Sequence, residues 1–268
     1  MIKDITLGQF FPGNSILHRL DARIKIILTV LFIVIVFLAK TIFSYLIVFA
    51  FTLSLVFVSR ISVKTVLKSL KPIVFVLILT SALNIFWTVG DNLVFSFGII
   101  RIYSEGIRFA LIMVLRITSL LIGTSVILTY TTSPIMLTDG LERLLSPLKL
   151  LKVPVHEFSL MMTIALRFIP TLIEETDKIM SAQKARGADF TSGSLVNRAK
   201  ALIPVLIPLF ISSFRRADEL ATAMECRCYN GGDGRTKMTT PRLSAIDIFS
   251  LIAFIAFGAL IIYTNNLF

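Results

Sequence analysis

The chain alternates long apolar runs with short charged punctuation, and the lengths of those runs predict its elements. Between Lys25 and Arg60 the only charge is Lys40. As one helix at about 1.5 Å per residue this stretch would reach ~50 Å, well beyond the ~30 Å hydrocarbon core of a bilayer. It must fold back, which predicts two spans, about 24–39 and 42–59, turning at Lys40-Thr41. A third uncharged run, Ile73 to Gly90, follows Pro72 and stops at Asp91-Asn92. The apolar segment Leu93–Tyr103 is short, rich in β-branched and aromatic residues, and contains Gly98, so it reads as an ordered outer loop or hairpin. A fourth span, roughly 109–131, ends before Ser133-Pro134, where Ser at an N-cap and Pro at the first helical position start a new helix. The last uncharged run, Ile248 to Phe268, makes the fifth span. The first apolar run begins only near Ile24, behind an N-terminus of mixed charge, so the first helix is expected to be kept rather than cleaved as a signal.

Composition agrees: 56% of the 268 residues are hydrophobic and 16% charged, too little polar surface for an ordinary soluble domain. The fold class expected is an all-α integral membrane protein with about five transmembrane helices. The 27 Lys+Arg against 16 Asp+Glu, a net +11, follow the ends of the apolar runs, a topology signal rather than a nucleic-acid footprint. Arg60, Lys64, Lys68 and Lys71 face no acid, so the 60–71 loop is expected to be cytoplasmic. The N-terminus and residues 133–242 then lie inside the cell, and the 91–106 loop and the C-terminus outside. Arg116 falls within the fourth span near its outer end, where an intramembrane cation marks a functional site or, the weightier reading, snorkels to the interface.

The stretch 133–242 separates segment 1–132, with spans one to four, from segment 243–268, with span five. From Asp139 to Arg242 it holds 15 Lys+Arg and 11 Asp+Glu, with apolar stretches at 158–166 and 201–214 too short to span. Apolar residues at three- and four-residue intervals predict two long amphipathic helices, His156 to Lys184 and Val196 to Cys226, behind a short one from Pro134 to about Leu145. Pro204 and Pro208 each remove a backbone donor and should bend the second long helix. Glycine-bearing turns, Gly187-Ala188-Asp189 and Tyr229-Asn230-Gly231-Gly232, end the two long helices.

The two helix ends resemble one another. Asp177 lies nine residues before Arg186 and Asp218 nine before Arg227, an Ala precedes each Arg by four, and small residues flank each. A terminal Arg complements the helix dipole, which alone would explain one such residue. Small flanks also let a partner's backbone approach and leave the guanidinium as a protruding fork for carboxylates or carbonyls. Two such forks suggest two equivalent sockets on a dimeric cytoplasmic partner.

These residues carry a family resemblance. Gly8-Gln9-Phe10-Phe11-Pro12-Gly13-Asn14-Ser15 with His18-Arg19-Leu20-Asp21-Ala22-Arg23-Ile24-Lys25, Thr131-Thr132-Ser133-Pro134, Leu166 to Glu175, Ala182-Gln183-Lys184-Ala185-Arg186-Gly187, and Arg215 to Ala221 together resemble the transmembrane coupling subunit, the T component, of energy-coupling-factor importers, a branch of the ABC transporters. The resemblance implies that two cytoplasmic ATPase subunits bind residues 133–242 and that a separate membrane subunit, the S component, captures a vitamin or metal ion. The family's paired Ala-Arg-Gly motifs fall on Ala185, Arg186 and Gly187, and on Cys226, Arg227 and Cys228, where the second departs from the pattern. The apolar faces at Phe158, Met161, Met162, Ala165 and Phe168, and at Leu202, Ile203, Leu206, Phe210 and Phe214, are the expected contact with the S component.

The chemistry of the chain points the same way. No G-x-x-x-x-G-K-[ST] loop is present, and Gly231-Gly232-Asp233-Gly234-Arg235-Thr236-Lys237 fails its spacing, so no catalytic role and no cofactor is expected, with ATP bound by the partners. His18 and His156 are far apart, and Cys226 and Cys228 have no nearby third ligand, which speaks against a metal site. Two rival readings remain. One is a self-sufficient permease with a regulatory insert; the other is an intramembrane lipid-modifying enzyme using Arg167, Glu174, Glu175 and Asp177.

Overall fold

The structure is a computed structural model that describes residues 10–90, 92–97, 100–190, 194–232 and 243–267. Gly8, Gln9, Asp91, Gly98, the Asp233–Lys237 stretch, Arg242 and Phe268, to which the sequence reading assigned motif, turn or boundary roles, lie outside the described residues. Contacts divide the chain into two compact units, Leu7–Gly140 with Pro241–Phe268, and Leu141–Thr240 with the first six residues.

In the first unit a single turn, α1 (Ile16–Arg19), leads through Leu20-Asp21 into α2 (Ala22–Leu38). Asp21 caps α2 by accepting the Arg23 N–H, and Thr41 caps α3 (Ile42–Ser59) by accepting the Ser44 N–H, so the chain reverses at Lys40-Thr41 as its charge pattern predicts. The third helix differs from expectation. It is α4 (Val63–Trp87), which begins ten residues before Ile73 and carries Pro72 inside it. A proline withholds one donor, and the rest of the 25-residue ladder outweighs that loss. Lys64, Lys68 and Lys71 therefore ride on helix rather than on a loop.

A two-stranded antiparallel hairpin, β1 (Leu93–Phe97) and β2 (Ile100–Tyr103), follows as expected. Helix α5 (Ser104–Thr124) runs on into a π-helical turn at Ser125–Thr129, and α6 (Pro134–Leu145) begins where the Ser133-Pro134 signal puts it. The last helix is α9 (Ala245–Leu267).

Helix α2 packs between α5 and α9, α3 packs on both, and α4 lies on α5. The core includes Leu28, Phe32, Ile35 and Val36 of α2 with Tyr45, Val48 and Val56 of α3, Ile122, Val126, Ile127 and Tyr130, and Phe254, Phe257 and Ile261 of α9. Phe51 stacks on Phe257 with ring centroids 3.9 Å apart. Gly123 is required: a Cβ there would stand 2.2 Å from the buried Phe32 ring.

Among the described residues, five helices are long and apolar enough to cross a membrane: Ile42–Ser59, Val63–Trp87, Ser104–Thr129, Val196–Cys226 and Ala245–Leu267. Four correspond to expected spans. The expected first span, α2, has 17 residues, about 26 Å of helix at the lower end of the spanning range. The fifth helix of suitable composition is instead one read from sequence as amphipathic; its charge-free stretch, 201–214, is 14 residues, only about 21 Å.

Arg116 does not snorkel outward. Its Nε donates to the hydroxyl of the fully buried Tyr45 at 2.7 Å, Nη2 reaches the same oxygen, and the guanidinium lies over the Phe37 and Tyr45 rings. One hydroxyl and two ring faces stand in for the water an interfacial cation would seek.

Candidate functional site

The second unit is built on α7 (Val155–Ala185) and α8 (Leu195–Cys226), the two long helices expected there. Ser194 caps α8 by accepting the Asn197 N–H. Glu175 of α7 pairs with Arg216 of α8 at 2.8 Å, and Gln183 of α7 donates to the Pro204 carbonyl at 3.5 Å. Moving up α7 thus moves down α8, so the pair is antiparallel. The Pro204 carbonyl would normally be met by the N–H of residue 208. Residue 208 is a proline, and the Gln183 amide supplies the missing donor from the neighbouring helix.

Both helices end in the same construction. After α7, Gly187 N–H bonds to Lys184 O at 2.9 Å and Ala188 N–H to Gln183 O at 3.0 Å; after α8, Cys228 N–H bonds to Glu225 O at 2.8 Å and Tyr229 N–H to Met224 O at 3.0 Å. Each is a complete Schellman cap with Arg at the C-cap and the next residue in the left-handed region, Gly187 at φ 88° and Cys228 at φ 56°. Ala185, Arg186, Gly187, Cys226, Arg227 and Cys228 are all exposed. Among the described residues no ion pair engages either arginine.

The third motif position therefore demands backbone freedom as well as small size. Glycine meets that demand at no steric cost, whereas cysteine brings a Cβ into the left-handed region at about 1 kcal/mol. Cys228→Gly is expected to tighten the second cap by that amount, slowing hydrogen exchange at the Tyr229 amide about fivefold relative to the parent. Unchanged exchange would show that the cap is not strained.

Exposed apolar side chains flank the same helices. Phe158, Met161, Met162 and Ala165 of α7 are exposed and Phe168 is half-buried; Leu202, Ile203, Leu206, Phe210 and Phe214 of α8 are exposed, the last two at 61% and 68%. Among its described side chains α8 buries only Val205, with Ala201, Leu209 and Ser212 partly covered on the same stripe. Ile207 and Ile211 are also exposed and extend the outward apolar face to about half the helix circumference. The sequence reading passed over them, although their spacing from Ile203 and Phe214 carried the signal.

The chain's relatives bear on what this arrangement serves. A family model described as cobalt transport protein, CbiQ, matches residues 13–238. The energy-coupling factor transporter transmembrane protein EcfT of Ruminiclostridium cellulolyticum is 56% identical over 248 residues, covering 92% of each chain. That of Clostridium kluyveri is 54% identical over 257 residues, covering 95% of each, and that of Bacillus subtilis 46% identical over 263 residues, covering 98% of this chain and 99% of the relative. The chain belongs to the EcfT family. It is a multi-pass transmembrane component of an energy-coupling factor transporter.

Within this EcfT-family chain the sequence motifs meet in pairs. The motif ending at Lys25 meets the one beginning at Thr131, because the buried Lys25 ammonium donates to Thr131 O at 2.7 Å and to His18 O at 3.3 Å. His18 in turn bridges Ser15 Oγ at 2.6 Å and Phe11 O at 2.9 Å. The motif 166–175 meets the motif 215–221 through Glu175 and Arg216. Of the four residues in the rival catalytic reading, Glu175 is thus bound in an ion pair, while Arg167 and Glu174 are exposed. No group of three or more His, Cys, Asp or Glu able to hold a metal ion exists among the described residues.

Proposed function

We propose that this subunit couples two cytoplasmic ATPase subunits to a separate substrate-binding membrane subunit, for uptake of a micronutrient of the vitamin or metal-ion class. Supporting this most directly is the pair of exposed, arginine-capped helix ends that share one cap geometry. Gln183, three residues from Arg186, lies against Pro204, and Arg227 stands 23 residues further along α8, about 35 Å away at 1.5 Å per residue. Two equal plugs that far apart suit two equal sockets on a dimer of ATPases. When the ATPases close on ATP, the sockets carry Arg186 and Arg227, and the antiparallel α7–α8 pair, braced by Glu175–Arg216, acts as a lever.

The wide apolar faces at Phe158–Phe168 and Leu202–Phe214 then meet the substrate-binding subunit and the lipid surface. In this reading α8 lies along the interface rather than crossing it, because its charge-free centre is too short and Arg198, Lys200, Arg215 and Arg216 bound it closely. The spans are α2, α3, α4, α5 and α9, with the N-terminus and residues 133–242 cytoplasmic and the C-terminus outside. The basic residues at the start of α4 favour this orientation.

Affinity purification of the tagged chain from its native membrane is expected to bring down two ATPase subunits and one further membrane protein. Reconstituted in vesicles, that assembly takes up substrate with ATP. The isolated chain performing uptake alone would instead establish the self-sufficient permease.

A further inference from the structure

The turn beyond Arg227 is backed by a side chain from elsewhere in the unit. Gly232 lies flat against the ring of His156, and a Cβ on Gly232 would stand 2.5 Å from the ring's Cδ2 and 2.8 Å from Cγ. The same ring donates from Nδ1 to Glu142 Oε1 at 3.1 Å, with the two side chains 23% and 11% exposed. Glu142 belongs to the last turn of α6, His156 to the first turn of α7, and Gly232 to the turn after α8. Three segments meet at one imidazole, five residues from Arg227.

Among the described residues no atom beyond the chain neighbours comes within 4 Å of where a Cβ on Gly187 would be. The two caps also differ in intrinsic cost, since Gly187 occupies the left-handed region freely and Cys228 does not. The costlier cap is the one followed by the turn that rests on His156.

We propose that His156, held by Glu142, is a positioning residue for the Arg227 tip: its ring is the stop against which the turn after α8 rests. The Arg227 tip is then tied to α6 through that ring. This rests on the docking role of the two tips proposed above, and its test reads them separately.

A photo-crosslinking amino acid, p-benzoylphenylalanine, is placed at position 184 or 225 of the full chain, both exposed and outside the small-residue motifs, in the complete transporter with its ATPases and substrate-binding subunit. His156→Ala and Glu142→Leu are expected to lower crosslinking to ATPase from position 225 by about tenfold, the scale of a lost charge-assisted hydrogen bond, and to leave position 184 unchanged. Glu142→Gln, whose amide oxygen accepts the same Nδ1–H, is expected to restore crosslinking from 225. Equal losses at both positions, or none at 225, would overturn the positioning role. A parent complex that crosslinks to ATPase from neither position overturns the docking role, and this inference with it.

Discussion

The double variant Arg186→Glu, Arg227→Glu is expected to purify as a folded membrane protein without its ATPases. In the proposed docking, where both tips engage one dimer, reversing one member of a desolvated charge pair costs about 2–5 kcal/mol, and losing both also removes the gain from bivalent attachment. Together these amount to at least a ~1,000-fold loss of affinity. Each single variant is expected to retain weakened binding through the other tip. Arg→Lys at either position keeps the charge but gives up the planar fork, so it should fall between parent and reversal. The ratio of ATPase to membrane subunit on size exclusion measures this directly. Stoichiometric ATPase in the double variant would end the idea of the tips as plugs.

Both tips were legible from sequence because a helix end writes its chemistry into a few consecutive residues. The spacing of Asp177 and Asp218, the Ala four residues before each arginine, and the small flanks mark two helix ends that share one Schellman geometry. What the sequence did not reveal was that the third position is left-handed, since Gly187 and Cys228 look alike as small residues and differ only in the φ they tolerate. The spans were legible for a different reason. Charge-free length is nearly the whole signal for a membrane helix, and Lys40, Ser133 and Pro134 mark their turns.

That signal misleads where the boundary is not a charge. The uncharged run that follows Pro72 marks only part of its helix, since α4 runs through that proline, one missing donor being outweighed by the ladder on either side. Arg116 was expected at the interface because an isolated helix offers it nothing else. The Tyr45 hydroxyl and the Phe37 ring belong to other helices, and no local pattern announces them. In α8 the difficulty is real ambiguity: an apolar face covering half a helix resembles a span in composition, and only the 14-residue limit of its uncharged centre argues otherwise. The motif ending at Lys25 was visible as residues while its purpose was not, because its partners lie more than a hundred residues away.

That purpose yields the other large expected effect. Asp247 is 2% exposed and accepts the Asp21 N–H at 2.9 Å and the Ser244 N–H at 2.7 Å, while Lys25, 1% exposed, donates to the carbonyls of Thr131 and His18. Two buried charges thereby join the N-terminal segment, the end of the α5 helical run and the start of α9. Asp247→Ala leaves two N–H groups without acceptors, at about 1–3 kcal/mol each. In a chain of this size that lowers the unfolding midpoint in detergent by about 10 °C, at ~2–4 °C per kcal/mol. Lys25→Met keeps the apolar stem and strands two carbonyls, so a fall of similar size is expected. The double variant should lose less than the sum, because each single change already loosens the same junction. The surviving folded molecules should still bind ATPase with parental affinity, since Arg186 and Arg227 belong to the other compact unit. A midpoint within one or two degrees of the parent in Asp247→Ala would show that water replaces the lost acceptor. The junction would then be a wet surface patch rather than the dry joint its burial describes.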